Sequence, residues 1–267
     1  MSNSSPDLSR RDFFKVSAAA IAAVGVANFL KPSYAAEVNV KTVALSNLPK
    51  DPVEVAKSSE LVQKAWDYLL GEINSLHDLA LREKVLSFYQ NTVPTFMEQH
   101  QDKASVSKVY LKLLQENLVD PALTDEAHLF PPLKDLNTIP QPFFSAPGSG
   151  YGSHHAYPGG LATHTAVNVE ITKSILTTYS HIMDYEYGYD MAVAGQLLHD
   201  LAKPWVFQWN KDGSCLKEYT IAGTGAHHIF SIAEAIYRGM PADEVVAQAC
   251  AHNHPGTPKD EELVVGW

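Results

Sequence analysis

The chain has 267 residues, of which 45% are hydrophobic, 10% aromatic and 19% charged, and its formal net charge is −10. That is the composition of a folded soluble protein, long enough for one large domain or for a domain with a helical extension around a sizeable core. Its acidity excludes a non-specific binder of long nucleic acid, which needs a basic surface to displace counterions from phosphates.

The first element is a targeting signal. Ser9-Arg10-Arg11-Asp12-Phe13-Phe14-Lys15 matches the twin-arginine export signature S-R-R-x-F-L-K, and an uncharged, Ala-rich run follows from Val16 to Leu30. Lys31-Pro32 and the small-residue site Ser33-Tyr34-Ala35 come next, where a signal peptidase would cut. Fifteen mildly apolar residues are too few for a stable membrane span. The expectation is a signal peptide over residues 1–35, a mature chain starting near Ala36, the twin-arginine translocation machinery as a partner, and a periplasmic or otherwise exported location. Removing four basic and two acidic residues with the signal takes the net charge from −10 to −12.

Residues 36–128 form an N-terminal helical region. From Asp51 to about Asp120, Leu61, Ala65, Tyr68 and Leu69, then Val85, Leu86 and Tyr89, then Val106, Tyr110, Leu113 and Leu114 recur at three- and four-residue spacing, which predicts three or four helices. Over residues 129–160 the character changes to Pro, Gly and Ser ("FPPLKDLNTIPQPFFSAPGSGYGSHHAYPGG"), a linker or wrapped loop that cannot hold a long helix. Helical periodicity resumes at Leu161, and residues 161–267 read as a second helical domain. Within it, "VFQWNKDGSCLKEYT" predicts a short β-hairpin around Lys211-Asp212-Gly213. Helices return over His227 to Arg238 and Ala242 to His252. Two cysteines, Cys215 and Cys250, are too few for a disulfide framework, and sequence leaves open whether they pair.

The histidines of this second half carry the chemistry. His164 stands in "GGLATHTAV", His199 and Asp200 in "LLHDLAK", His227 and His228 in "GAHHIFSIAEA", His252 and His254 in "CAHNHPG". The intervals are 35 residues from His164 to His199, 27 from Asp200 to His227 and 25 from His227 to His252. Each is about one helix and a turn, so every helix of a bundle can deliver a ligand to one point. Imidazoles and a carboxylate converging in this way suit a divalent transition metal (Mn, Fe, Co, Ni or Zn), one ion or two, whereas calcium would want more oxygens. Neighbouring positions on a helix differ by about 100°, so a metal over the groove between His199 and Asp200 can take a nitrogen from one and an oxygen from the other. The second oxygen of Asp200 is then free to bridge another ion or orient a water molecule.

The pattern resembles the HD-domain metal-dependent phosphohydrolase superfamily, named for its His-Asp doublet. The resemblance runs from about Tyr157 to Trp267 and is nearest to the nucleotide and exoribonuclease-type phosphodiesterases, through "YPGGLATHT", "LLHDLAK" and "HNHPG" in that order. It implies an all-α fold: an HD-like helical bundle, here with a small β-hairpin insertion and an N-terminal helical extension. It implies a metal set of His164, His199, Asp200, His227 and His252. His227 is preferred to His228, since it follows the Gly-Ala turn and has the small Ser231 four residues on, while His228 faces Ile232 and the core; His254 is the alternative to His252. The family's late Asp has no counterpart here, because Asp260 sits in an exposed "PKDEE" turn. Either the chain is a truncated form of a longer one, which "EELVVGW" as an unfinished helix favours, or the site is incomplete.

Around this set, Lys203 lies one turn after His199, as a cation for substrate phosphate or as a helix C-terminal charge stopped by Pro204. Thr165 and Asn168 are candidates for orienting an imidazole. His154 and His155 belong to the loop, at the cleft mouth or in solvent, and Trp205, Trp209 and Tyr219 form either an aromatic wall or hairpin packing. The implied activity is metal-dependent hydrolysis of a small phosphorylated substrate, an ester or phosphodiester and potentially nucleotide-like, with Asp200 and Lys203 as catalytic residues. Two alternatives keep the site: a di-iron oxygenase, and a non-catalytic ligand-binding protein with a degenerate centre.

Overall fold

The computed structural model describes residues 43–150, 153–253 and 256–267. The signal peptide and His254 lie outside them. Two units are distinguished, Met1–Leu48 and Pro49–Trp267. In the first, the described residues form only a 3-10 turn at Leu45–Asn47.

The second unit is a helical assembly with a small β insertion, as the sequence implies. Its first helices are each opened by an oxygen-bearing side chain that accepts orphan backbone N–H groups. Asp51 caps α1 (Pro52–Ser58) and Ser59 caps α2 (Glu60–Ser75). Asp78 caps α3 (Leu79–Gln90) and Asp102 caps α4 (Lys103–Gln115). The buried stripe of α2 is Val62, Ala65, Leu69 and Ile73, so Leu61, on the expected face, is instead 62% exposed.

The long helix α5 (Gly160–Met183) lies against α2 on one side and α6 (Tyr189–Leu198) on the other. Leu69, Ile73, Val85, Phe88, Phe143, Leu161, Val169 and Leu197 share one core, so α2 and α3 support the same interior as the histidine-bearing helices. A second cluster gathers Trp205, Phe230 and Ile221, with Phe96 and Phe130 packed on it. After the four-residue α7 (Lys203–Val206), two short strands precede α8 (Ala226–Tyr237), α9 (Ala242–Cys250) and α10 (Pro258–Gly266). No helix among the described residues is long and apolar enough to cross a membrane.

The β structure is displaced from its expected place. Around Lys211-Asp212-Gly213 only one bridge forms, Trp209 with Cys215, although Gly213 does adopt the left-handed turn (φ +85°). The paired strands are β1 (Thr220–Ile221) and β2 (Thr224–Gly225), antiparallel around Ala222 (φ +51°) and Gly223 (φ +74°). Two consecutive left-handed residues give the turn whose twist suits a tight hairpin. Cys215 and Cys250 are both free thiols.

The described residues between 129 and 159 wrap the core. Leu129, Phe143, Phe144 and Ala146 are buried. Gln141 ties the segment down: its carbonyl accepts from Thr92 Oγ1 at 2.6 Å, and its Nε2 donates to the Phe207 carbonyl at 3.1 Å.

One buried carboxyl belongs to none of the histidine groups found among the described residues. Glu244 is 6% exposed, its Oε2 has no hydrogen-bond partner, and burial, then the charges of Asp243, Asp190 and Asp78, push its pKa up to about 7. A folded-state pKa above the unfolded value means that ionisation opposes folding. The penalty is absent below about pH 4.5, grows from there to about pH 7 and is complete above it. Glu244→Gln is therefore expected to stabilise the protein by on the order of 2 kcal/mol at pH 8 and by nothing at pH 4.5. Denaturant unfolding of both proteins across that range checks this, and an equal gain at both ends contradicts it.

Candidate metal centre

The doublet "HD" is not inside a helix. Helix α6 ends at Leu198, His199 is its C-cap (φ −54°, ψ −34°), and Asp200 follows in a turn. A buried helix end needs partners for its last carbonyls, and here side chains supply them. His199 Nδ1 bonds the Gln196 carbonyl at 2.6 Å, and Tyr89 Oη donates to Leu197 O at 2.8 Å. Gln248 Nε2 donates to Leu198 O at 2.9 Å, and His252 Nε2 bonds His199 O at 2.9 Å. With those carbonyls satisfied, the chain can turn directly from an apolar helix into a polar centre.

Asp200 is 1% exposed and stands in a ring of imidazoles. His164 Nε2 and His199 Nε2 are each 3.1 Å from its Oδ2, and 3.3 Å from one another. His227 Nε2 is 3.2 Å and His252 Nε2 3.7 Å from its Oδ1. Lys203 Nζ approaches Oδ2 to 2.6 Å from α7 and also donates to the Gly148 carbonyl. Close as these groups are, neither Asp200 oxygen makes a hydrogen bond of sound geometry. Ligands 2.0–2.1 Å from a tetrahedral metal stand roughly 3.3 Å apart. The His164, His199 and Asp200 donors therefore already have the edge lengths of a coordination polyhedron, and the residues fit the divalent transition metal that the sequence implies.

Protonation states suit that fit at Asp200, His164 and His252, and at His227 they do not. Burial raises the pKa of Asp200, but the charge of His199, then that of Lys203, and the His164 and His199 imidazoles 3.1 Å away outweigh it and hold the carboxyl well below its usual range. Burial lowers His164, takes His252 down to about 3 and His228 to about 2, which keeps these rings neutral; His252 Nε2 carries its proton toward the His199 carbonyl and would have to release it to bind an ion. For His227 burial acts downward, but Asp200 and Glu218 reverse it and the pKa is raised.

Glu218 escaped the sequence reading. It lies in the irregular stretch before β1, where no periodicity marks it. Its Oε1 accepts from the backbone N–H of His227 at 3.0 Å and pairs with His227 Nδ1, which aims Nε2 at Asp200. A carboxylate nine residues before a candidate ligand, His227, was the available signal. Outer partners of this kind tune metal affinity by about 10–100-fold, so Glu218→Ala should weaken metal binding by about that factor. Competition against a chromophoric chelator measures it, and unchanged affinity contradicts the assignment.

The other expected residues separate. Asn168 Nδ2 stands 3.2 Å from His164 Nε2 and 3.4 Å from His199 Nε2, between the two rings. Thr165 is buried with an unpartnered hydroxyl and reaches neither. His228 does not enter the core: its ring stacks on His252 with centroids 3.4 Å apart and lines the cleft, because Thr224 Oγ1 holds its Nδ1. Lys203 is not a helix C-terminal cation but the first residue of α7, buried beside Asp200. Asp260 is engaged by Thr257 at 2.8 Å as part of the cap of α10.

The centre opens into a cleft of about 660 Å³ whose lining includes Ser149, Ser153, His154, Phe207 and Lys217. The aromatic wall is absent from its lining. Trp205 is buried among Phe96, Phe130 and Phe230, Trp209 donates to Ser145 O at 3.0 Å, and Tyr219 stacks on His128.

Residues 7–27 match the family described as TAT (twin-arginine translocation) pathway signal sequence, so the chain carries a twin-arginine export signal. Over 114 residues the chain is 30% identical to dihydroneopterin 2',3'-cyclic phosphate phosphodiesterase of Methanocaldococcus jannaschii. The match covers 42% of this chain and 45% of that protein, so the chain spans less than half the length of this relative. No solved structure matches the chain.

Proposed function

We propose that the protein is an exported, metal-dependent phosphohydrolase acting on a phosphate ester or phosphodiester, a nucleotide-like molecule included. The observation that carries this is Asp200, a buried carboxylate with neither oxygen hydrogen-bonded, ringed by the Nε2 atoms of His164, His199, His227 and His252. Similarity to a cyclic-phosphate phosphodiesterase supports the reaction class.

His164, His199, Asp200 and His227 would hold the first ion, with His252 beside them and His254 as the sequence alternative. Bound there, a divalent metal supplies Lewis acidity toward the phosphoryl oxygens and lowers the pKa of an attacking water. The chain's own residues do the rest. Asp200, held ionised, orients the attacking water through a hydrogen bond to the oxygen that the ion leaves free. Lys203 offsets its charge from below, so the centre stays open to an anion. Lys217 stands at the rim, an exposed cation where a phosphate enters.

Full-length protein purified without oxygen, then assayed with phosphomonoesters, linear phosphodiesters and 2',3'-cyclic nucleotides in the presence of Mn, Fe, Co, Ni or Zn, tests this reading. Metal-dependent release of phosphate or of a monoester is expected. Bound iron with oxygen-consuming turnover and no hydrolysis would replace it with the oxygenase reading.

A further inference from the structure

His154 and His155 have no part in the centre around Asp200, yet the fold holds them firmly. His155 has a left-handed backbone (φ +57°), a conformation that costs a residue with a side chain about 1 kcal/mol or more and that persists where the surroundings impose it. Those surroundings are the Gly148 N–H, which donates to the His155 carbonyl at 2.9 Å, and Gly160, at which a Cβ would stand 1.8 Å from that same oxygen. The two imidazoles meet nearly at right angles (85°), with Nδ1 atoms 3.0 Å apart. The His154 ring lies 5.0 Å from that of His164, and the His155 ring 5.3 Å from it. One ligand nitrogen from each of the three lies within 4.8 Å of the other two.

Two nitrogens bound 2.0–2.1 Å from one ion, at an angle between the octahedral and tetrahedral values, stand roughly 2.9–3.4 Å apart. The separation of 3.0 Å falls in that interval. Among the described residues the group is all imidazole, a donor set for a borderline metal such as Zn or Ni and a poor one for Mg or Ca. His154 is exposed and lines the cleft, so an ion there keeps open coordination positions toward solvent and toward whatever enters.

We propose that His154, His155 and His164 form a second, outer metal site at the mouth of the cleft, which takes Zn or a similar ion and leaves positions free for an anionic ligand. That the anion is a substrate phosphate rests on the function proposed above; the binding of the ion does not. His164 belongs to both groups, so the outer site is the more weakly held and is coupled to the inner one.

The test uses full-length folded protein stripped of metal by chelator and titrated with Zn alone, followed by calorimetry and by competition with a chromophoric chelator. Wild type should show two classes of site. His154→Ala combined with His155→Asn should lose one class, with affinity down about 100-fold or more, and keep the other. Asparagine is chosen because it tolerates the left-handed backbone; if the double variant does not fold, His154→Ala alone, an exposed change, should still weaken the outer class about tenfold. Retention of both classes in these variants overturns the proposal, as does a single class in wild type that Asp200→Ala abolishes. If Asp200→Ala leaves both classes intact, the hydrolase centre is what fails, and the outer site is still decided by the histidine variants. Binding of inorganic phosphate to the stripped protein that depends on His154 and His155, with no Zn bound there, also overturns it.

Discussion

Asp200→Ala should leave the protein without stoichiometric metal at the inner centre and reduce phosphodiester hydrolysis by about 1,000-fold or more, a loss of about 4 kcal/mol in transition-state stabilisation. The same change has a second effect, on stability. Lys203 is 4% exposed, and its ammonium has Asp200 and the Gly148 carbonyl as partners. Removing one member of a buried ion pair costs about 3–5 kcal/mol because the other charge is left uncompensated, whereas removing both is often close to neutral. Asp200→Ala with Lys203→Met should thus regain most of the lost stability and none of the metal. Thermal unfolding and elemental analysis of the three proteins separate the two roles. Stoichiometric inner metal in either variant would remove Asp200 from the ligand set.

Gly160→Ala is expected to have the largest effect of any single methyl group. The new Cβ would stand 1.8 Å from the His155 carbonyl oxygen and 3.0 Å from the Gly148 nitrogen, and both obstacles are backbone. A flexible side chain could swing away; a peptide held by its own hydrogen bond cannot. Overpacking costs about 1–3 kcal/mol in ordinary cores, and this contact belongs at or above the upper end, a fall in melting temperature of about 10 °C for a domain of this size. Activity should fall as well, since the displaced segment carries His154 and His155 and enters the helix that presents His164. Gly71→Ala is the control: nothing lies within 4 Å of its would-be Cβ in the middle of α2, so about 0.5–1 kcal/mol of stabilisation is expected there. Equal melting temperatures for the two variants would refute the close approach at Gly160.

The same glycine shows why the sequence was readable in some places and not in others. Helices announced themselves through apolar spacing of three and four, a local effect, and the structure adds the caps Asp51, Ser59, Asp78 and Asp102 that open them. The grouping of His164, His199, Asp200, His227 and His252 was legible because they stand in or beside different helix ends, at intervals of about one helix and a turn. What local pattern does not carry is long-range backbone contact. His154 and His155 lie in a Pro, Gly and Ser-rich stretch that reads as solvated loop, and only the meeting of residues 148, 155 and 160 places them against His164. Glu218 was missed for a related reason: its partner is fixed by how the segment before β1 folds back on α8. The hairpin was shifted because Lys211-Asp212-Gly213 does make a turn, but its flanks diverge after one bridge, with Trp209 drawn to Ser145.

The proposed inner ligands come from α5, the end of α6, the start of α8 and the turn after α9, segments far apart in the chain. No unfolded or half-assembled chain brings them together, so an ion bound there is linked to the folding equilibrium of the whole unit. Free metal at 100 times its dissociation constant adds about 2.7 kcal/mol to the folded state, and the increment rises only with the logarithm of concentration. Metal supply in the compartment where the chain folds would then add to the stability of the protein that carries the twin-arginine signal, so ion occupancy and unfolding free energy would rise together.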